Sequence, residues 1–290
     1  MMAYATAKDG TRLYYKDWGE GRPVVLMHGW PLTGDTFDEM GMAIAKDGYR
    51  AIIPDRRGFG RSDKPWHGND YDTYADDVAA ILDDAGISEK IGLVGFSMGG
   101  GEVARFQSQY PGRTAAAVLI SSVVPHVGKT DYNPDGVPEE TLNEITEALK
   151  TDHQGFFPGF FEKFFGVDEN KDAVSDGVQR DAFQQTMQAS IHNILTSADA
   201  WATTDFRPDL DNFDAPTLVI HGTKDKTVPI DATARVVADK VPQAELKEYE
   251  GSPHAVFATD KERLIEDVKS FLDKACGERS AIPLNATETA

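Results

Sequence analysis

A chain of 290 residues with 48 Asp plus Glu against 29 Lys plus Arg carries a formal charge of −19, which argues against nucleic acid or an anionic membrane as partner. Its 40% hydrophobic and 10% aromatic content is ordinary for a soluble globular protein with a substantial core. Met1-Met2-Ala3-Tyr4-Ala5-Thr6-Ala7-Lys8-Asp9 has neither a basic head nor an apolar core, no run of about 18 apolar residues occurs, and the lone Cys276 has no internal disulfide partner; a cytoplasmic protein is expected.

Pro23-Val24-Val25-Leu26-Met27-His28 is a short apolar run ending in a glycine turn and reads as a buried parallel strand. Arg50-Ala51-Ile52-Ile53-Pro54 is another, followed by the turn Asp55-Arg56-Arg57-Gly58-Phe59-Gly60-Arg61-Ser62. Tyr74, Val78, Ile81, Leu82 and Ala85 fall on one face at helical spacing, which predicts an amphipathic helix over about residues 70–85. The apolar run Ile91-Gly92-Leu93-Val94 then meets Gly95-Phe96-Ser97-Met98-Gly99, and a helical pattern follows from Gly101. Small residues two positions to each side of Ser97 leave room for a sharp strand-to-helix turn. Such a turn pushes Oγ out of the sheet and aims a helix N-terminus at the reacting centre.

Residues 115–120 form the next strand, and the alternation then stops. Residues 124–209 carry helical signals without a clear strand, so a helical cap over residues 125–209 is expected on a core domain of residues 1–124 and 210–276. Phe156, Phe157, Phe160 and Phe161 within it serve either as packing between cap and core or as the wall of an apolar substrate pocket. Strands at residues 216–221 and 244–249, a closing helix at 261–274 and a disordered tail at 277–290 complete the chain. Strands alternating with helices predict an α/β fold with a mostly parallel sheet covered on both faces.

A serine hydroxyl attacks well only when a base removes its proton and an acid orients that base. Past a serine on this kind of turn the partners follow in the order Asp or Glu, then His. Asp225 lies just beyond the strand at 216–221 and His254 just beyond the last strand, so Ser97, Asp225 and His254 all fall at the C-terminal sheet edge, where such sheets bind ligands. The other usual place for the acid, after Ile120, reads Ser121-Ser122-Val123-Val124-Pro125 and holds no carboxylate. The backbone N–H groups of Met98 and Trp30 are the expected oxyanion donors; Pro31, next to Trp30, has none to give. His28, His126 and His221 also lie near strand ends, but none has ligand spacing to another histidine or a carboxylate, so no metal is expected. His28 and His221 read as structural residues in tight turns.

Over about residues 10–274 the chain resembles the α/β-hydrolase superfamily, and more narrowly the cofactor-free bacterial haloperoxidases, also called perhydrolases or aryl esterases. The matching segments are His28-Gly29-Trp30-Pro31-Leu32, the Asp55 to Trp66 loop, Gly95 to Gly101, Asp70 to Asp77, and Thr204-Asp205-Phe206-Arg207-Pro208-Asp209. The resemblance implies an α/β-hydrolase fold with a helical cap, and Ser-His-Asp hydrolysis of aryl or short-chain esters through an acyl-serine. It also implies peracid formation from a carboxylic acid and hydrogen peroxide without haem or metal, and assembly as a homotrimer or higher oligomer. The Asp-Arg-Arg-Gly loop is given no chemistry. His254-Ala255-Val256 replaces the commoner His-Gly, and Thr227 stands where larger apolar residues are frequent, so Thr227 and Pro31 join the four phenylalanines as expected pocket residues.

Two other functions are compatible with the sequence: hydrolysis of γ-lactams or amides on the same three residues, and ligand binding without catalysis. Dehalogenases and epoxide hydrolases of this fold use an Asp nucleophile, which Ser97 speaks against. Pro31 restricts the backbone of Trp30 and is expected to favour peroxide over water as the attacking species. Pro31→Leu should then lower the ratio of perhydrolysis to hydrolysis about tenfold, for a shift of ~1.4 kcal/mol between the two transition states. An unchanged ratio in paired assays leaves Pro31 only the stiffening of its turn.

Overall fold

A computed structural model of the chain describes residues 3–276; the tail expected at 277–290 lies outside them. Eight strands form one sheet: β1 (Ala3–Thr6), β2 (Arg12–Trp18), β3 (Arg22–Met27), β4 (Tyr49–Pro54), β5 (Ile91–Phe96), β6 (Thr114–Ile120), β7 (Thr217–Gly222) and β8 (Ala244–Tyr249). Their spatial order is β1-β2-β4-β3-β5-β6-β7-β8, with β1–β2 and β2–β4 antiparallel and every later pairing parallel. The parallel pairing follows from composition, because β3, β5, β6 and β7 are almost wholly buried and apolar.

The first two strands have no counterpart among the sequence-predicted elements. β2 reads Arg-Leu-Tyr-Tyr-Lys-Asp-Trp and does not look like a buried run. Its Lys16 is nevertheless 7% exposed, its ammonium held by Asp35 and Asp38. Ion pairing of this kind lets a strand bury a cation that would otherwise mark it as surface.

The helices are α1 (Asp38–Lys46), α2 (Tyr71–Asp84), α3 (Met98–Gln109), α4 (Glu139–Phe165), α5 (Asp176–Thr186), α6 (Ile191–Thr203), α7 (Ala234–Lys240), α8 (Val256–Thr259) and α9 (Lys261–Cys276). Asp70 caps α2 by accepting from Thr73 N–H, and the buried face of that helix carries the apolar stripe read from the sequence. α2 packs beside α3, and α1 beside α9. Three helices, α4 to α6, intervene between β6 and β7 in place of a crossover helix. α4 breaks at Asp152, whose side chain accepts from Gly155 N–H and caps the second segment. Among the described residues, no helix is long and apolar enough to cross a membrane.

Candidate active site

The turn after β5 puts Ser97 at φ 53°, ψ −117°, in the left-handed half of backbone space. A non-glycine residue is held there only when its surroundings over-determine it. Ser97 N–H donates to Ile120 O, at the end of β6, at 2.8 Å, and Val123 N–H, from the loop after β6, donates to Ser97 O at 3.3 Å, so β6 and the loop that follows it hold the turn on both sides. The glycines are required by space: a Cβ at Gly95 would sit 2.3 Å from Gly99 O, and one at Gly99 would sit 2.1 Å from Met27 O. Met98 is the first residue of α3, so its N–H has no acceptor within the helix.

Three side chains from three loops meet at this turn. Ser97 Oγ lies 3.0 Å from His254 Nε2, and His254 Nδ1 lies 2.6 Å from Asp225 Oδ2. Asp225 Oδ1 accepts from the N–H groups of Thr227 and Val228, each at 2.8 Å, which turns the other oxygen toward His254. Burial alone raises the Asp225 carboxyl, but the His254 charge and the hydrogen bonds from His221 and His254 outweigh it. The group is held far below the ordinary carboxylate range. His254 is fully buried, flanked by the rings of Phe96 and Phe164, with Ser121 Oγ donating to its carbonyl at 2.9 Å.

Two of these supports were not visible in the sequence. Ser121, at φ 44°, steadies the loop of the base from the site where a carboxylate was sought. His221 Nε2 lies 2.9 Å from Val228 O and 3.1 Å from Asp225 Oδ2, so it braces the acid as well as its turn. The available signal was position: His221 is the penultimate residue of β7, four residues before Asp225. His28 and His126 contact Arg56 N–H and Thr204 O respectively. Among the described residues, no group of three or more His, Cys, Asp or Glu side chains is placed to hold a metal ion.

Ser97 and His254 open onto a cavity of about 590 Å³ between the sheet edge and α4. Its wall is mostly apolar, with Val123, Val137, Leu142, Ile145, Phe156 and Phe160; Trp30, Trp201 and Thr227 also line it, as do the charged Glu144, Glu162, Lys163 and Lys226. Of the pocket residues expected from sequence, Phe156, Phe160 and Thr227 are therefore in the lining. Phe157, Phe161 and Pro31 are not, which corrects that expectation. The reason is helical period: Phe156 and Phe160 are four apart on one face of α4, while Phe157 and Phe161 occupy the next face and are fully buried. Phe157 packs on the Trp30 ring at 5.7 Å, and Phe161 packs on Phe157, Phe164 and Phe165. Pro31 is buried in a turn closed by Leu32 N–H on Gly29 O, and its bond to Trp30 is cis.

Asp225→Asn should test the charge on the acid. Because the folded carboxyl is held below its ordinary value of 3.8, its stabilising contribution is complete above that value and fades as pH falls below it. The variant is expected to be less stable than the parent by about 2 kcal/mol at pH 7. That margin should stay constant down to about pH 5 and shrink below about pH 4 in urea unfolding; a margin that widens on acidification would overturn the assignment.

Comparison with known proteins agrees with this fold. The profile of the alpha/beta hydrolase fold matches residues 22–261. A non-heme chloroperoxidase of Kitasatospora aureofaciens is 44% identical, covering 94% of this chain and 100% of its own. A bifunctional esterase/perhydrolase of Acinetobacter calcoaceticus is 37% identical over 93% of this chain and 99% of its own. Among solved structures, a bromoperoxidase from Bacillus anthracis superposes with a TM-score of 0.90 at 36% identity, covering 94% of this chain and 100% of its own. The chain belongs to the alpha/beta hydrolase fold family, among relatives named non-heme haloperoxidases and esterase/perhydrolases.

Proposed function

We propose that this protein is a metal-free serine hydrolase of carboxylic esters, and that its acyl-enzyme also reacts with hydrogen peroxide to give a peracid. The observation that carries the proposal is the unbroken chain of hydrogen bonds from Ser97 through His254 to Asp225 at the floor of an apolar cavity.

Ser97 is the nucleophile. His254 Nε2 accepts its proton as Oγ attacks the ester carbonyl, and Asp225 holds the ring in the tautomer with the proton on Nδ1 and stabilises the charge that forms. The N–H groups of Met98 and Trp30 face the developing oxyanion; Trp30 N–H has no acceptor among the described residues and is free for that bond. Collapse of the tetrahedral adduct expels the alcohol, which takes its proton from His254, and leaves acyl-Ser97. Water then attacks with His254 as base and releases the acid. Hydrogen peroxide in the same place releases the peracid and restores the Ser97 hydroxyl. The helices α4 to α6 act as the cap, and the apolar wall suits an uncharged aryl or short acyl group. The relatives named for esterase, perhydrolase and haloperoxidase activity support both halves of the proposal.

Ser97→Ala should lower turnover of an aryl acetate by about 10⁴-fold or more with the melting temperature little changed. A folded variant that keeps more than a few per cent of parental activity would overturn the role of Ser97. Exhaustive dialysis against EDTA should leave both activities intact, since charge stabilisation comes from backbone N–H groups. Loss of activity restored by added zinc would sink the metal-free mechanism.

A further inference from the structure

The peptide between Gly29 and Trp30 carries two groups on opposite edges of one plane: the Gly29 carbonyl and the Trp30 N–H. In a planar trans peptide these point in opposite directions, so whatever fixes the carbonyl also aims the N–H. Gly29 O accepts twice, from Leu32 N–H at 3.0 Å and from His28 Nδ1 at 2.9 Å. The plane lies against the nucleophile, since a Cβ on Gly29 would fall 3.0 Å from Ser97 Cβ and 2.7 Å from Phe96 Cδ1.

Whether His28 can donate to Gly29 depends on its tautomer, and Arg56 decides that. Arg56 N–H, a donor in every state, points at His28 Nε2 from 3.0 Å, so Nε2 must be the bare acceptor and the proton of the neutral ring sits on Nδ1. The opposite tautomer would set Nε2–H against the Arg56 N–H and a lone pair against Gly29 O. It would gain only the longer approach of Arg56 Nη1 to Nδ1, at 3.5 Å. Burial, reinforced by the Arg56 charge, pushes the His28 pKa well below the ordinary range, so the ring stays neutral. The Arg56 side chain also donates from Nη2 to His28 O at 2.5 Å and pairs with Glu102 of α3, both groups being almost fully buried.

We propose that His28, locked by Arg56 as the Nδ1–H tautomer, is the positioning residue that aims the Trp30 N–H at the oxyanion. The Asp-Arg-Arg-Gly loop thereby acquires a role in catalysis without touching substrate: Arg56 anchors the oxyanion turn to the helix that follows Ser97. The inference rests on Ser97 acting as the nucleophile and Trp30 N–H as an oxyanion donor.

Two amide variants separate the ring nitrogens. His28→Asn puts an N–H donor near the place of Nδ1 and gives up the acceptor for Arg56. His28→Gln keeps an acceptor near the place of Nε2 and gives up the donor to Gly29. With an aryl acetate, His28→Gln should lose about 100-fold in kcat with KM within about twofold, while His28→Asn stays within about tenfold of the parent. Affinity for a trifluoromethyl ketone, which forms a tetrahedral oxyanion on the serine, should fall in parallel with kcat/KM in the Gln variant. Equal losses in both variants, or parental kcat in His28→Gln, would overturn the proposal. Nitrogen-detected NMR of the unmutated protein supplies a test that does not require either variant to fold. A neutral Nδ1–H ring at His28 is expected between pH 5 and 8, and an Nε2–H or charged ring there overturns it. Ser97→Ala assayed alongside tells the two failures apart. If it remains active, the nucleophile assignment falls; if it is inactive while His28→Gln is unimpaired, only the role of His28 falls.

Discussion

Everything chemical in this molecule depends on holding Ser97 in a backbone conformation that serine does not choose. Strain of order 1–3 kcal/mol is kept at this turn because the sheet and α3 leave it no alternative. The Ile120 carbonyl at the end of β6 accepts from the Ser97 amide and Val123 N–H in the following loop donates to the Ser97 carbonyl, while Gly95 and Gly99 let β5, α3 and the end of β3 approach more closely than any side chain allows. Gly100 and Gly29 extend the same requirement to Ser122 and to the oxyanion turn, where a Cβ would fall 2.0 Å from Ser122 Oγ and 2.7 Å from Phe96. Ser97, the proposed nucleophile, is thus set by the centre of the sheet, its most buried and least adaptable part.

The parallel strands, the helix after Asp70 and the order Ser97, Asp225, His254 are legible in the sequence because each is a local pattern: an apolar run, a period, a motif at a strand end. What escaped depends on pairing across the fold. β2 hides behind Lys16, whose charge is cancelled by two aspartates from a later segment. Phe156 and Phe157 are adjacent letters of one aromatic run, and only the helix and its neighbours decide that one faces the cavity and the other the Trp30 ring. His221 reads as a turn residue and Ser121 only as a place without a carboxylate; their targets are the Asp225 carboxylate, four residues on, and the His254 carbonyl, 133 residues away. The paired arginines after β4 are given no chemistry by the sequence, which does not show their partners: Arg56 and Arg57 are both buried, the first with Glu102 and the second between Asp77 and Asp9.

These inward ion pairs also bear on the acidic surface. Arg56, Arg57 and Lys16 are buried, but so are the carboxylates Asp55, Asp77, Glu102, Asp209 and Asp225, so these inward pairs do not add to the negative charge of the exposed shell. Bidentate and multiple contacts counter part of the cost of desolvation, as where Arg57 reaches both oxygens of Asp77, yet burial still outweighs them and the Asp77 carboxyl is pushed up to about 6.

Trp30 joins regions that the sequence treats as separate. Its indole N–H donates to Ile194 O in α6 at 3.1 Å, and its ring lies against Phe157 and Phe160 of α4 and Trp201 of α6. Its own amide belongs to the turn beside Ser97. One residue therefore has its side chain in the wall of the cavity and its backbone in the turn that the proposed mechanism assigns to the oxyanion. Under the proposed function, a well-fitting acyl group packs against an indole whose own amide lies beside Ser97, so fit at the wall and stabilisation of the transition state are joined through one residue. Discrimination among substrates in such a site is expressed in the speed of the chemical step, with binding in the ground state left comparatively undemanding.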